Sequence, residues 1–241
     1  MIDFTLVIAC YNEEPILESS VGETFRVLDA LRWTSEVVFV DDHSRDRTAE
    51  IIERIVAAHP DRAISVIRHP QNVGRGGTVT DGIRAARGRY VGFIDIDLEV
   101  HAMYLLPCLL ALEQGADVAT ALRIYRFHWR SLDRYILSRG YRWLSSHVIP
   151  PTLQDTETGF KLFNRERILP VLEACRDRGW FWDTEVMVRA HYAGLQIREI
   201  PVLFLRRFDK QSSVRPVRDT IDYLQKLWRF RSVIRELKGQ A

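Results

Sequence analysis

The first hundred residues fall into blocks of two kinds. Phe4-Thr5-Leu6-Val7-Ile8-Ala9-Cys10, Glu36 to Val40, Ile64 to Arg68 and Tyr90 to Ile94 are short apolar runs rich in β-branched and aromatic residues. Runs so short and continuous suit strands buried on both faces. Between them apolar residues recur at helical spacing. The first such stretch reaches about Leu31, the second starts where Asp46 can cap it and runs to about Ala58 before Pro60, and the third ends near Gly88. Strand–helix alternation of this kind predicts an α/β fold, a doubly wound, mostly parallel Rossmann-like sheet with flanking helices. From about Tyr125 the character changes to a basic, aromatic helical stretch. Asp155 to Phe163, a strand over Ile197 to Phe204 and a C-terminal amphipathic helix follow.

Three of these runs end in polar clusters: Tyr11-Asn12-Glu13, Asp41-Asp42 and Asp95-Ile96-Asp97. In open α/β sheets, ligands bind beyond the carboxyl ends of the strands. Side chains two apart on a strand share a face, so Asp95 and Asp97 are expected to point together into that crevice. Two carboxylates completed by substrate phosphates suit a hard divalent cation, Mg²⁺ or Mn²⁺. At the second strand end a carboxylate can accept a base N–H of a nucleotide, with Tyr11 packed on the base. Taken singly, Asp41 and Asp42 are as readily the start of a turn; three acidic strand ends in order point to a nucleotide.

Asn72-Val73-Gly74-Arg75-Gly76-Gly77 is the Gly-rich loop of the chain, but it does not follow the first strand and lacks the Gly-Lys-Ser/Thr of a P-loop. It reads as a tight turn that lets backbone approach a ligand, with Arg75 near phosphate. At 241 residues, one domain over 1–241 is expected, with no flexible linker to divide it. Residues 1–122 would form the nucleotide-binding half, 123–215 the half that completes the site, and 216–241 the terminal helix. A net charge of +2 gives no footprint for nucleic acid. Cys10, Cys108 and Cys175 are odd in number and set in apolar surroundings, which favours reduced thiols. Ala102 to Leu112 falls short of the roughly 20 residues a membrane span needs. A cytoplasmic protein, at most peripheral at the inner face of the membrane, is the expectation.

Ala-Cys-Tyr-Asn-Glu-Glu, Val-Asp-Asp-His-Ser-x-Asp-x-Thr, Asn-x-Gly-Arg-Gly-Gly and Asp-Ile-Asp-Leu, in that order, resemble the family-2 inverting glycosyltransferases of the GT-A fold. Asp155 to Lys161, Trp182-Asp183-Thr184-Glu185 and Glu199-Ile200-Pro201-Val202 look like the polyprenyl-phosphate branch, such as dolichyl-phosphate glucosyl- and mannosyltransferases. The stretch Ser212-Ser213-Val214 followed by Arg218-Asp219-Thr220 looks closer to the glucosyl members. The resemblance implies metal-dependent transfer of a hexose, glucose favoured, from a nucleotide sugar (UDP-glucose, with GDP-mannose as alternative) to a polyprenyl phosphate. It places Ala9, Tyr11, Glu13, Asp41, Asp42, Arg75 and Asp95 on the nucleotide sugar, with Asp95 and Asp97 on the metal. Asp97, Asp183 and Glu185 become the catalytic candidates, and Arg123, Arg134, Lys161 and Ser212 would face the acceptor phosphate.

Three departures accompany it. Ala9 stands where the family usually has Pro, Gln211-Ser212-Ser213 replaces its usual Gly-Ser-Lys, and the membrane spans of many relatives are missing. A glycosyltransferase acting on a sugar or other hydroxyl is therefore the alternative, for which Asp183 or Glu185 would take the proton. A sugar-phosphate nucleotidyltransferase would use a similar sheet, but the Gly- and basic-rich loop expected after its first strand is absent. Trp129, Leu132, Ile136, Trp143 and Val148 fall near one helical face among arginines. On the last helix Leu224, Leu227, Phe230, Ile234 and Leu237 share one face, and Trp228, Arg231 and Arg235 another. Such faces meet either a membrane surface or the core. Oligomeric state is left open, a homo-oligomer included.

Overall fold

The computed structural model describes residues 2–124, 149–205 and 216–240. Seven strands form one sheet in the order β3-β2-β1-β4-β6-β5-β7. They are β1 (Phe4–Cys10), β2 (Ser35–Asp41), β3 (Ala63–Arg68), β4 (Tyr90–Ile94), β5 (Val118–Ile124), β6 (Phe160–Asn164) and β7 (Ile197–Leu203). All neighbours run parallel except β6, which is antiparallel to both β4 and β5. The helices are α1 (Leu17–Ala30), α2 (Thr48–Ala58), α3 (Arg75–Ala85), α4 (Leu105–Glu113), α5 (Arg165–Ala174), α6 (Trp182–Tyr192) and α7 (Pro216–Gln240).

The period of two along each strand sorts the core into two layers. Phe4, Leu6, Ile8 and Cys10 of β1, with Val37 and Phe39 of β2, face the layer that includes Leu17, Phe25 and Ile52 from α1 and α2. Val7, Val38 and Val40 face the other, under Val79 and Ile83 of α3 and Val186 and Met187 of α6. Both faces of β1, β2 and β4 are thus covered, which is why these runs carry no polar alternation. β3 exposes Ser65, Val66 and Arg68, as an edge strand can. At the amino end of β1, buried Glu36 accepts from Thr5 Oγ1 at 2.7 Å and from the N–H and Nε of Arg87, each at 2.7 Å.

The terminal helix resolves its two stripes. Tyr223, Leu227, Phe230 and Ile234 are buried in the second layer, while Trp228 is 71% exposed and Arg231 and Arg235 face outward with it. All three cysteines are free thiols. Among the described residues, no helix is long and apolar enough to cross a membrane.

Candidate active site

Strands β1, β2 and β4 end side by side, and each chain exit contains a residue in the left-handed region: Asn12 (φ 56°), His43 (φ 64°) and Leu98 (φ 53°). For residues with a Cβ this conformation is uncommon. It bends all three exits sharply at the same rim. The first two loops are laced together. Asn12 N–H donates to Ser44 Oγ at 3.0 Å, Arg45 N–H to Asn12 Oδ1 at 2.8 Å, and Glu13 N–H to Thr48 Oγ1 at 2.7 Å. The N-cap of α2 is Arg47 rather than Asp46; Asp46, one residue earlier, accepts from the N–H of Thr48 at 3.0 Å and from Glu14 N–H at 3.1 Å. Tyr11 stands 38% exposed at this rim.

Asp41 and Asp42 are both buried, and each accepts hydrogen bonds from backbone N–H groups. Asp41 accepts from Ser44 N–H at 3.2 Å. Asp42 accepts from the N–H groups of Val73 and Gly74 at 2.8 and 3.0 Å and pairs with His69 at 2.9 Å. The carboxylate expected on a nucleotide base is, at Asp42, holding the Gly-rich loop. That loop is shaped by packing as well. A Cβ on Gly74 would lie 2.6 Å from Arg178 O, and one on Gly76 would lie 2.3 Å from the Trp182 Cβ. The loop carries Arg75 at the first turn of α3.

Arg75 is the hub of the site. Its Nη2 and Nε donate to Asp95 Oδ1 at 2.6 and 3.1 Å, and its Nη1 donates to Asp183 Oδ2 at the start of α6. The guanidinium lies 5.4 Å from the Phe93 ring and 5.3 Å from Trp180. Burial works against its charge, but the Asp183 and Asp95 carboxylates outweigh that and hold its pKa above the ordinary arginine value. Asp95 donates its N–H to Gly159 O at 2.8 Å, and a Cβ on Gly159 would lie 1.7 Å from Asp95 Oδ2. The first residue beyond β4 is thus seated on the chain just before β6. Asp97 accepts from Glu99 N–H at 3.2 Å.

The residues expected to face the acceptor divide. Arg123, at the end of β5, grips Asp155 with Nε and Nη2 at 2.7 and 2.8 Å. Lys161 is not at the surface: it is completely buried, with Nζ on Asp183 Oδ1 at 2.7 Å and on Thr158 O. Burial lowers its pKa, with Asp183 opposing that shift. The expectation that it meets a phosphate gives way to a supporting role behind Asp183. Glu185 is likewise no companion of Asp183. It accepts from the N–H of Arg176 and Asp177 at 2.9 and 2.8 Å and pairs with Arg189 at 2.8 Å, so it anchors a loop. Ala9 is half-buried on β1. Arg134, Ser212 and the aromatic–basic stretch 129–148 lie outside the described residues. Sequence reasoning singled out neither Gly159 nor Trp180. The signal for Gly159 was its place in the Asp155–Lys161 motif; Trp180 had none.

Hard oxygen donors at Asp95 and Asp97 fit a divalent cation, and Asp95 keeps 44% of its side chain exposed. Among the described residues no third His, Cys, Asp or Glu joins them. The remaining positions would fall to substrate oxygens and water, the usual arrangement for Mg²⁺.

Residues 5–169 match the family described as Glycosyl transferase family 2. The chain is 34% identical over 209 residues to glycosyltransferase AglD of Haloferax volcanii, covering 83% of this chain but 33% of that protein. It is 27% identical over 258 residues to a dolichyl-phosphate beta-glucosyltransferase of Dictyostelium discoideum, covering 96% and 78%. Thus the chain spans about a third of one curated relative and most of the other. A mannosyltransferase from Pyrobaculum calidifontis in complex with GDP-Man and Mn²⁺ superposes with TM-score 0.65 at 19% identity, covering 98% of this chain and 70% of that one. Glucosyl-3-phosphoglycerate synthase from Mycobacterium tuberculosis, in complex with Mn²⁺, UDP and glucosyl-3-phosphoglycerate, gives 0.63 at 16%, covering 97% and 78%. These two likenesses establish the GT-A fold.

Proposed function

We propose that this chain, which belongs to glycosyl transferase family 2, transfers a hexose with inversion from a nucleotide sugar to a polyprenyl phosphate. Glucose from UDP-glucose is the favoured donor group. The observation that carries this reading is the pair Asp95 and Asp97, set just beyond β4 where the exits of β1 and β2 converge. Residues 1–122 would take the donor and 123–215 the acceptor. The lipid acceptor draws support from the Dictyostelium discoideum relative, a dolichyl-phosphate beta-glucosyltransferase.

Tyr11 and the carboxylates at the ends of β1 and β2 would seat the nucleotide. Asp95 and Asp97 would hold Mg²⁺ or Mn²⁺, which supplies charge neutralisation to the departing diphosphate. A phosphomonoester has a second pKa near 6 and is largely a dianion at neutral pH. One of its oxygens can therefore attack the anomeric carbon directly, while the bond to the nucleoside diphosphate breaks and its electron pair leaves with that group. No proton needs to be removed. Asp183 fits this scheme, because both its oxygens already accept from Arg75 and Lys161. A hydroxyl acceptor, the alternative, would ask a carboxylate to take a proton, and Asp183 offers no uncommitted oxygen for it. Trp228, with its outward arginines, would rest on an anionic membrane surface near the lipid.

The test is transfer from radiolabelled UDP-glucose, in parallel with GDP-mannose, to undecaprenyl phosphate in detergent with Mg²⁺ or Mn²⁺. A metal-dependent lipid-linked product is expected, reduced by about a hundredfold or more in Asp97→Ala. Nucleotide release without a lipid product would overturn the acceptor and redirect the search to hydroxyls.

A further inference from the structure

Asp95 presents a conflict: the carboxylate expected to hold a divalent cation already holds a guanidinium. Arg75 reaches it with two donors and reaches Asp183 with a third, while Lys161 closes the far side of Asp183. Two cations and two carboxylates balance. The Arg75 side chain is 13% exposed and that of Asp183 3%, so this balance is kept in a region largely removed from water. A buried charge left without its partner is strongly unfavourable.

We infer that Arg75 is a positioning residue that couples the divalent cation to the diphosphate: it neutralises Asp95 in the empty site, and it is released from Asp95 towards phosphate when the carboxylate takes the cation. The inference rests on the metal reading of Asp95 and Asp97. When Asp95 turns to a cation, Arg75 and Lys161 are left facing the single carboxylate of Asp183. Arg75 then has two donors to spare at the mouth of the site, and an anion restores the balance. The Asp183 contact, together with Phe93 and Trp180 against the guanidinium, keeps the fork near the rim during this exchange. The cation alone has to displace an arginine, whereas cation and diphosphate together exchange partners without stranding a charge. Each ligand therefore raises the affinity of the other, by the same factor for both.

Mn²⁺ binding, read from the EPR signal of the free ion, tests this without turnover. In the wild-type chain Mn²⁺ alone should bind weakly, and UDP should tighten it by about 5- to 150-fold, the usual range of coupling between sites. Arg75→Met should bind Mn²⁺ alone more tightly than wild type, and the enhancement by UDP should shrink towards one. Removal of a nearby positive charge would by itself tighten Mn²⁺, so it is the loss of the UDP enhancement in the same variant that reads the coupling. Arg75→Lys keeps one charge without the fork and should show a reduced UDP enhancement; it reads the coupling by itself if the Met variant fails to fold. Equal Mn²⁺ affinity in all three proteins, or weaker binding in both variants, overturns the inference while leaving the metal site in place. If Mn²⁺ bound with UDP is insensitive to Asp97→Ala, the metal reading itself fails, and the inference with it.

Discussion

At position 159 a methyl group has nowhere to go except into Asp95. The backbone before β6 lies directly against Asp95 Oδ2, and a Cβ 1.7 Å from that oxygen would force the carboxylate aside. Displacements of about 1 Å at a reacting centre can cost 10²-fold in rate. Gly159→Ala should therefore cut turnover by about that factor while circular dichroism stays native. Retained turnover would mean that Asp95 needs no fixed seat. The residue scale is also where the sequence was least legible. The acidic ends of β1, β2 and β4 could be read from spacing alone. Lys161 could not be distinguished from a surface cation, because its partner Asp183 stands 22 positions away in the chain. Asp183 and Glu185 look equivalent in the sequence, yet one meets Arg75 and the other binds the loop at 176–177.

Among the elements, β1, β2, β4 and the first three helices lie close to where hydrophobic spacing puts them, since both-face burial leaves a continuous apolar run. β6 was harder, because its antiparallel place between β4 and β5 depends on pairings more than 40 residues apart, as at Thr120 and Lys161. The join of β1 and β2 depends on Glu36. Burial pushes its pKa up, but the hydrogen bonds from Thr5 and Arg87 outweigh burial and hold it below the ordinary carboxylate value. A lowered folded pKa means that the carboxylate stabilises the fold fully above its unfolded value, about 4.3, and that this contribution fades as pH falls through the folded value. Glu36→Gln should accordingly lower the unfolding free energy at pH 7 by about 1–3 kcal/mol. Urea titrations at pH 7 and below pH 4 should show the gap between variant and wild type narrowing in acid; a gap independent of pH would remove the charge from the account.

For the molecule as a whole, α7 divides its labour by face. Leu227, Phe230 and Ile234 close the second core layer, and Trp228 is left outside with the arginines. Trp228→Ala should therefore leave unfolding free energy within about 0.5 kcal/mol of wild type. It should lower binding to anionic vesicles by about tenfold, the worth of one buried apolar side chain. Flotation with and without anionic lipid reads the second quantity, and unchanged binding would free the helix from any membrane role. The strand order carries a consequence for synthesis. β3, β2, β1 and β4 pair among themselves, so these strands can join as they leave the ribosome, while Val186 and Met187 of α6 cover their second face only later. β5 comes next in the chain but has no neighbour there: its partners are β6 and β7, both still to be made. Until residues 160–164 emerge, the open edge of β4 waits beside an unpaired β5. Asp95 gains its seat on Gly159 at the moment that gap is filled, so the acidic rim is completed in the same event that joins the two halves of the sheet.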